Sequence, residues 1–303
     1  MRQRGVALIT AIVLVAIATV LAVHIGTRAA LDLRRTTGLA ALDQGWQVAL
    51  GAEAWAAEVL KDDEPDSDNL AEAWAQPLPP LPIDGGEVRG ALEDMQGRFN
   101  LNNLVTADRT VNEKQVELFR QLLLRVGAQE RWAGMMTDWL DADSVPQIPE
   151  GAEDGTYLSQ NPPYRAGNVL VTTTTEMMAL PGMTREEFER IRPYVAALPV
   201  GTKVNLCTAK APLLSALVAG GADFSDAELL ASNRKDGCYP TEDDLQRMDP
   251  GGFTAISGFV GQKSDWFRAV TAVRIGTSEF TLYSLLYRNG SAIRTVIRST
   301  GTE

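Results

Sequence analysis

MRQRG (residues 1–5) is followed at once by VALITAIVLVAIATVLAV (residues 6–23), eighteen residues without a charge, in which only Thr10 and Thr19 are polar. At 1.5 Å per residue a helix of this length covers roughly 27 Å, close to the hydrocarbon thickness of a bilayer. An ordinary secretory signal has an apolar run of only about 7 to 15 residues, then a small-residue cleavage site and a loop-like mature start. Here the helix-favouring sequence continues. No proline occurs between Thr27 and Leu60, and Leu39, Leu42, Trp46, Ala49 and Leu50 recur at three-to-four spacing, as an amphipathic helix requires. One continuous helix is predicted over about residues 6–62, membrane-spanning in its first third. Arg2 and Arg4 favour a cytoplasmic N-terminus and a periplasmic remainder, with Arg28, Arg34 and Arg35 just past the other end opposing them.

Working outward, proline ends the long helix. Residues 62–82 form an acidic linker containing Pro77, Pro79, Pro80 and Pro82, and proline cannot continue a helix. Residues 86–99 alternate apolar side chains with turn-forming glycines and suit one or two short strands. At the far end, residues 266–275, 279–288 and 292–298 are rich in Val, Ile, Tyr, Phe and Thr, with Asn289-Gly290 between the last two as a hairpin signal. Between these strand regions the pattern is helical, at residues 112–126, 128–140, 184–197 and 209–218 among others. The predicted fold is α+β: a long N-terminal helix packed on an antiparallel sheet that is interrupted by a large all-helical insertion. Its parts are a leader (1–5), the membrane and assembly helix (6–62), an α+β unit (83–104 with 262–303) and the insertion (105–261).

Composition narrows the function. The 303-residue chain is 45% hydrophobic, enough to bury a core. A formal charge of -11 makes nucleic acid a poor partner, because such binding relies on Lys and Arg neutralising phosphates. His24 is the single histidine and borders the apolar run, so no Ser-His-Asp triad or histidine zinc site can form elsewhere. The motifs GxSxG, GxGxxG, the Walker phosphate loop and HExxH are all missing. An enzyme is not expected.

Four local features remain. GRFNLN (97–102) and GTKVNL (201–206) echo one another; each reads as an entry segment, with Asn satisfying orphan amides at a helix start. Residues 176–198, with Leu180-Pro181-Gly182-Met183-Thr184 between two helical runs, resemble a helix-hairpin-helix, read here as protein packing and alternatively as a DNA-backbone grip. Asp138, Asp141, Asp143, Glu153 and Asp154 crowd a loop held open by Pro146, Pro149, Gly151 and Gly155. Carboxylates without His or Cys suit a hard, oxygen-liganded cation, while a solvated acidic loop fits the same residues. Cys207 and Cys238 are the only cysteines, and in an oxidising compartment an even count reads as a bridge, with two buried thiols as the alternative.

The short basic leader ending in Gly5, joined directly to an uncharged helix, resembles the class III signal of type IV pilins and type II secretion pseudopilins. The resemblance implies cleavage by prepilin peptidase between Gly5 and Val6 and methylation of the new amine. A glycine permits close approach of an extended backbone to a protease. Major subunits of that family carry glutamate at the fifth mature position, where this chain has Thr10. A buried glutamate is costly unless it meets a charge, and a subunit with nothing above it needs none. This departure, with the large helical insertion, resembles the K-type minor pseudopilin. The resemblance implies an inner-membrane, single-pass subunit that caps the pseudopilus with minor pseudopilins I and J, packs on other pseudopilins and supports protein export. It also implies calcium in the Trp139-x-Asp141-x-Asp143 and Gly151-Ala152-Glu153-Asp154 loop, with Asp141, Asp143, Glu153 and Asp154 as ligands and Asp138 as a helix-end carboxylate instead. A bitopic periplasmic sensor or binding module, or a minor pilin of a type IV pilus or DNA-uptake system, are the competing readings.

Overall fold

In the computed structural model, residues 4–63, 67–218 and 224–300 are described. Helix α1 (Arg4–Lys61) runs unbroken for 58 residues. Its apolar first part is exposed along its whole length, with Val6, Leu8, Ile9 and Leu14 each more than 60% accessible. Burial starts with Gly45, Ala49, Glu53 and Leu60, positions that share one helical face. The chain then makes a short 3₁₀ turn (Ala73–Ala75), strand β1 (Leu81–Ile83) and strand β2 (Gly86–Asp94). Leu81 and Pro82 of β1 fall at the end of the stretch read as linker. Pro82 is tolerated there because β1 is an edge strand.

The insertion follows: β3 (Phe99–Asn100), α2 (Glu113–Arg125), α3 (Arg131–Leu140), α4 (Asp154–Tyr157), α5 (Arg185–Ile191), β4 (Val195–Ala196), β5 (Val204–Asn205), α6 (Ala211–Leu217), α7 (Ala227–Asn233), α8 (Glu242–Met248), α9 (Pro250–Ile256) and β6 (Val260–Gly261). Strands β7 (Trp266–Ile275), β8 (Ser278–Asn289) and β9 (Ala292–Thr300) close the chain. β1-β2-β7-β8-β9 form one sheet, antiparallel at every pairing. The three C-terminal strands fall where their β-branched and aromatic runs place them. The hairpin turn differs by one residue: Asn289 pairs with Ala292, so Gly290-Ser291 make the turn, with Gly290 at φ 61 as a primed turn needs. The predicted helix over 184–197 is also shorter. It stops at Ile191, passes through a 3₁₀ turn holding Pro193 and ends in β4, since proline offers no amide to continue the ladder.

Alternate residues of β7 and β8, namely Phe267, Ala269, Val273, Leu282 and Leu286, are buried and share two small clusters with Ala49, Leu60 and Trp74. Glu53 pins the helix to this face by accepting hydrogen bonds from Ser284, Thr295 and Arg298. Asp94 and Phe267 are register partners, and Phe267 sits in the same cluster as Leu60. The chain therefore leaves and re-enters the sheet beside the C-terminal end of α1, away from the exposed apolar part. A larger core fills the insertion, with Trp132, Leu122, Met136 and Leu140 fully buried and Phe99 stacked on Phe119 at 5.0 Å.

The two echoing segments become equivalent parts. Each forms a two-residue parallel bridge, β3 with β4 and β5 with β6, and then an Asn turn. Asn100 accepts from the Asn102 amide at 3.2 Å and Asn205 from the Cys207 amide at 3.0 Å. Only the first caps a helix, the 3₁₀ turn Leu101–Leu104; α6 starts after Lys210. Asn205 is a junction instead, donating to Asp68 O, Asp94 and Ser264, which tie linker, sheet and insertion together.

Cys207 and Cys238 are joined by a disulfide across 31 positions. Closing a loop of that length stabilises the fold by about 4 kcal/mol in the chain-entropy model. The double serine variant should therefore unfold at markedly lower denaturant, measured against the oxidised parent, and intact mass after alkylation should show no free thiol in the parent.

Candidate functional site

The acidic loop starts at the C-terminus of α3 and closes at the N-terminus of α4. Asp138 lies in the last turn of α3, Asp141 is its C-cap residue, and Glu153 stands at the N-cap of α4. Carboxylates at a helix C-terminus face the negative end of its dipole, so helix stability does not account for Asp138 and Asp141. Asp138 is fully buried and holds the loop closed by accepting the amides of Gln147 at 3.1 Å and Ala152 at 2.7 Å. Gly151 is required here, because a Cβ at that position would lie 2.3 Å from Asp138 Oδ2 and 2.2 Å from the Gln147 amide.

Asp141, Asp143 and Glu153 each bring a carboxylate oxygen within 4.8 Å of the others. Asp141 is 1% and Glu153 6% exposed, and none of their four carboxylate oxygens has a well-formed hydrogen bond. Burial pushes Asp141 up to about 6, aided by the charge of Asp143 and opposed by the Asp143 amide and Arg109. Burial raises Glu153 to about 7, with Asp141 and Asp143 adding to it. Burial likewise carries Asp138 to about 7 despite its two backbone donors. Two buried carboxylates without a well-formed hydrogen bond, with a third beside them, make a donor set that a hard divalent cation fits. A donor set of oxygens without His or Cys suits calcium better than zinc.

Asp154 does not join this group. Its Oδ1 accepts the Ala166 amide at 3.1 Å and its Oδ2 lies 3.9 Å from Arg165, so it braces the returning loop. Sequence reading missed two features around the cluster. Asn168 donates from Nδ2 to Asp143 O at 2.9 Å, and its Oδ1 is buried without a partner. Arg109 donates to the Asn168 carbonyl. Neither has a motif that would have pointed to it.

A second acidic trio, Asp63, Asp68 and Glu72, also lies within reach of one ion, but its oxygens are engaged. Arg288 pairs with Asp63 and Asp68, the Ser264 amide donates to Asp68, and Asn69 and Trp74 donate to Glu72. Val6 lies on an exposed turn of α1. Gly5 belongs to that helix, and the first three residues of the expected leader lie outside the described residues.

Residues 97–200 match the family model for type II secretion system protein K. The type II secretion system protein K of Pseudomonas aeruginosa is 35% identical over 99% of this chain and 93% of its own length, and that of Pectobacterium carotovorum is 32% identical over 99% and 97%. This chain belongs to the type II secretion system protein K family. Membership makes it a minor pseudopilin, a structural component of a protein-transport apparatus. Among the described residues, one helix is long and apolar enough to cross a membrane, and it fits a membrane anchor. The fold agrees: a chain from the crystal structure of the GspK-GspI-GspJ complex of the enterotoxigenic Escherichia coli type 2 secretion system superposes with a TM-score of 0.76 at 24% identity. That match covers 89% of this chain and all of the other, so the helical insertion is part of the shared protein K architecture.

Proposed function

We propose that this subunit caps the tip of the type II secretion pseudopilus, in complex with minor pseudopilins I and J, and so supports pseudopilus assembly and protein export. The observation that carries this reading is the placement of the insertion. A filament subunit must leave the distal end of its sheet free for the next subunit, whereas here the chain leaves the sheet after Asp94 and returns at Trp266, so the insertion lies at that end, beside Leu60 and Phe267. Thr10, an uncharged residue at a bilayer-depth position, is consistent with a subunit that has no neighbour above it. The relative solved in complex with partners I and J supports the same partners here.

In this reading prepilin peptidase cuts between Gly5 and Val6, the amine is methylated, and the helix sits in the inner membrane with its N-terminus cytoplasmic. Other pseudopilins then pack against the exposed part of α1. A gold label on the insertion of the full-length subunit should decorate one end of each assembled pseudopilus, and mass spectrometry should find N-methylated Val6. Label distributed along the shaft overturns capping, and a native chain that still begins at Met1 overturns processing.

Calcium is the cation we assign to the cluster, with Asp141, Asp143 and Glu153 as its protein carboxylates. When bound, it supplies positive charge to carboxylates that burial otherwise disfavours. Those residues tie the end of α3 to the start of α4, so the ion is structural. At a hundredfold excess over its dissociation constant calcium should stabilise the chain by about 2.7 kcal/mol, read as a shift in denaturant midpoint that a chelator reverses.

A further inference from the structure

The linker, the 3₁₀ turn before β4 and helices α6 and α7 border a cleft of about 770 Å³, with Leu70, Pro212 and Leu230 on its apolar walls. Its charged lining consists of Lys210, Arg234 and Lys235, with no acid among the lining residues. In a chain with 39 acidic and 28 basic residues, that is a local reversal of charge. Among the described residues, no carboxylate lies within ion-pair distance of any of the three. The cleft shares no residue with the acidic loop between α3 and α4.

Arg234 decides what the cleft can hold. It is 6% exposed, and a buried guanidinium is costly unless an acid meets it. Here Nε donates to Tyr239 O at 2.6 Å, and Nη2 donates to Leu206 O and Ala209 O at 2.7 and 2.8 Å. All three acceptors are neutral, so burial lowers Arg234 to about 10. These carbonyls adjoin Cys207 and Cys238, which the disulfide joins, and the side chain is thereby fixed before any ligand arrives. Its Nη1 makes no hydrogen bond among the described residues. Lys210 stands 5.6 Å over the Tyr194 ring, and burial together with the charges of Arg98, Arg192 and Arg268 lowers it, Glu93 opposing.

An anion placed here would supply the charge that the protein withholds, through charge-assisted hydrogen bonds. The volume falls in the range of ligand sites, about 300 to 1,000 Å³. A small hydrated anion gains nothing from apolar walls, whereas carboxylates carried among apolar side chains gain from both surfaces. We infer that the cleft binds an acidic segment of another polypeptide, with a carboxylate against Arg234 and Lys210 and apolar side chains against Leu70, Pro212 and Leu230.

Fluorescence anisotropy of a labelled short peptide alternating leucine and glutamate, titrated with the full-length chain in detergent, tests this. Exchanging its glutamates for glutamine should weaken binding roughly 10- to 100-fold, the range for losing a hydrogen bond to a charged group. Lys210→Gln combined with Lys235→Gln should weaken it by a similar factor and leave melting within a few degrees of the parent. Lys114→Gln, at an exposed position on α2 outside the cleft, should bind as the parent does. Arg234→Met should abolish binding, but it also strands three carbonyls, so the lysine pair carries the test should that variant melt early. A parent chain that does not bind the acidic peptide overturns the inference, as do equal affinities for the two peptides or an unchanged affinity in the lysine pair. Weakening in Lys114→Gln as large as in the pair overturns it too, because overall charge then attracts the peptide. Inorganic phosphate that displaces the label as effectively as unlabelled peptide would show an anion pocket with no use for a polypeptide, and so overturns the choice of ligand.

Discussion

Replacing Arg288 by methionine should lower the unfolding free energy by about 3 to 5 kcal/mol, the range for removing one partner of a buried ion pair. Arg288 is 7% exposed and Asp68 is completely buried. The guanidinium donates to Asp68 and to Asp63, and also to the Ser264 carbonyl at 2.7 Å, while it lies over the Phe267 ring at 4.9 Å. It therefore faces three acids: Asp63, Asp68 and, through space, Asp265. Burial drives Asp63 and Asp265 upward, and Arg288 counters this in both. Methionine fills much of the volume and leaves Asp68 charged in the interior. Adding Asp68→Asn to Arg288→Met should recover part of the loss, because the stranded charge is then gone. Denaturant unfolding at neutral pH measures both steps. A cost below about 1 kcal/mol for the single change would mean that Asp68 finds water or another donor, and that the linker is not held to β8 by this charge.

Without calcium, the chain should become less stable as pH rises from about 4 to about 7. The sign follows from the direction of the shifts. Asp138, Asp141 and Glu153 titrate near 7, 6 and 7 when folded, above the usual range of about 4 for unfolded carboxyls. Between those limits the folded chain holds protons that the unfolded chain has released, so raising the pH favours unfolding. Asp138, fully buried and pushed up to about 7, should contribute the largest share of that loss. Calcium should flatten the slope, because it replaces the protons with a charge of the right sign. Denaturant midpoints at pH 5 and pH 7.5, with chelator and with calcium, test this. Equal midpoints with chelator at the two pH values would show that these carboxylates are solvated.

The long helix, its apolar start and the three C-terminal strands could be read from the chain because each depends on near neighbours. Eighteen uncharged residues, the three-to-four spacing from Leu39 to Leu50, and runs rich in Val, Ile, Tyr, Phe and Thr after residue 266 mark helix and strands without reference to the rest of the molecule. Turn chemistry was legible to within one residue at Gly290. The helix after Thr184 was overestimated because Pro193 competes with an apolar run that otherwise suits a helix, and β4 is held in place by Phe99 and Asn100, about a hundred residues earlier.

The same division runs through the site. Asp141 and Asp143 adjoin α3 in sequence, and a crowded acidic loop announces them. That Glu153 turns toward them while Asp154 turns to Ala166 depends on the first turn of α4 and on the path of residues 165–168. Asn168 and Arg109 meet across 59 positions, and Arg288 meets Asp68 across 220. Periodicity and turn preference are local properties of a polypeptide. Which charges become neighbours, and which are left buried without a partner, is set by how distant segments pack, so in this chain the long helix and the sheet were written in order along the sequence and the carboxylate cluster and the charge junction arose from the closing of the insertion.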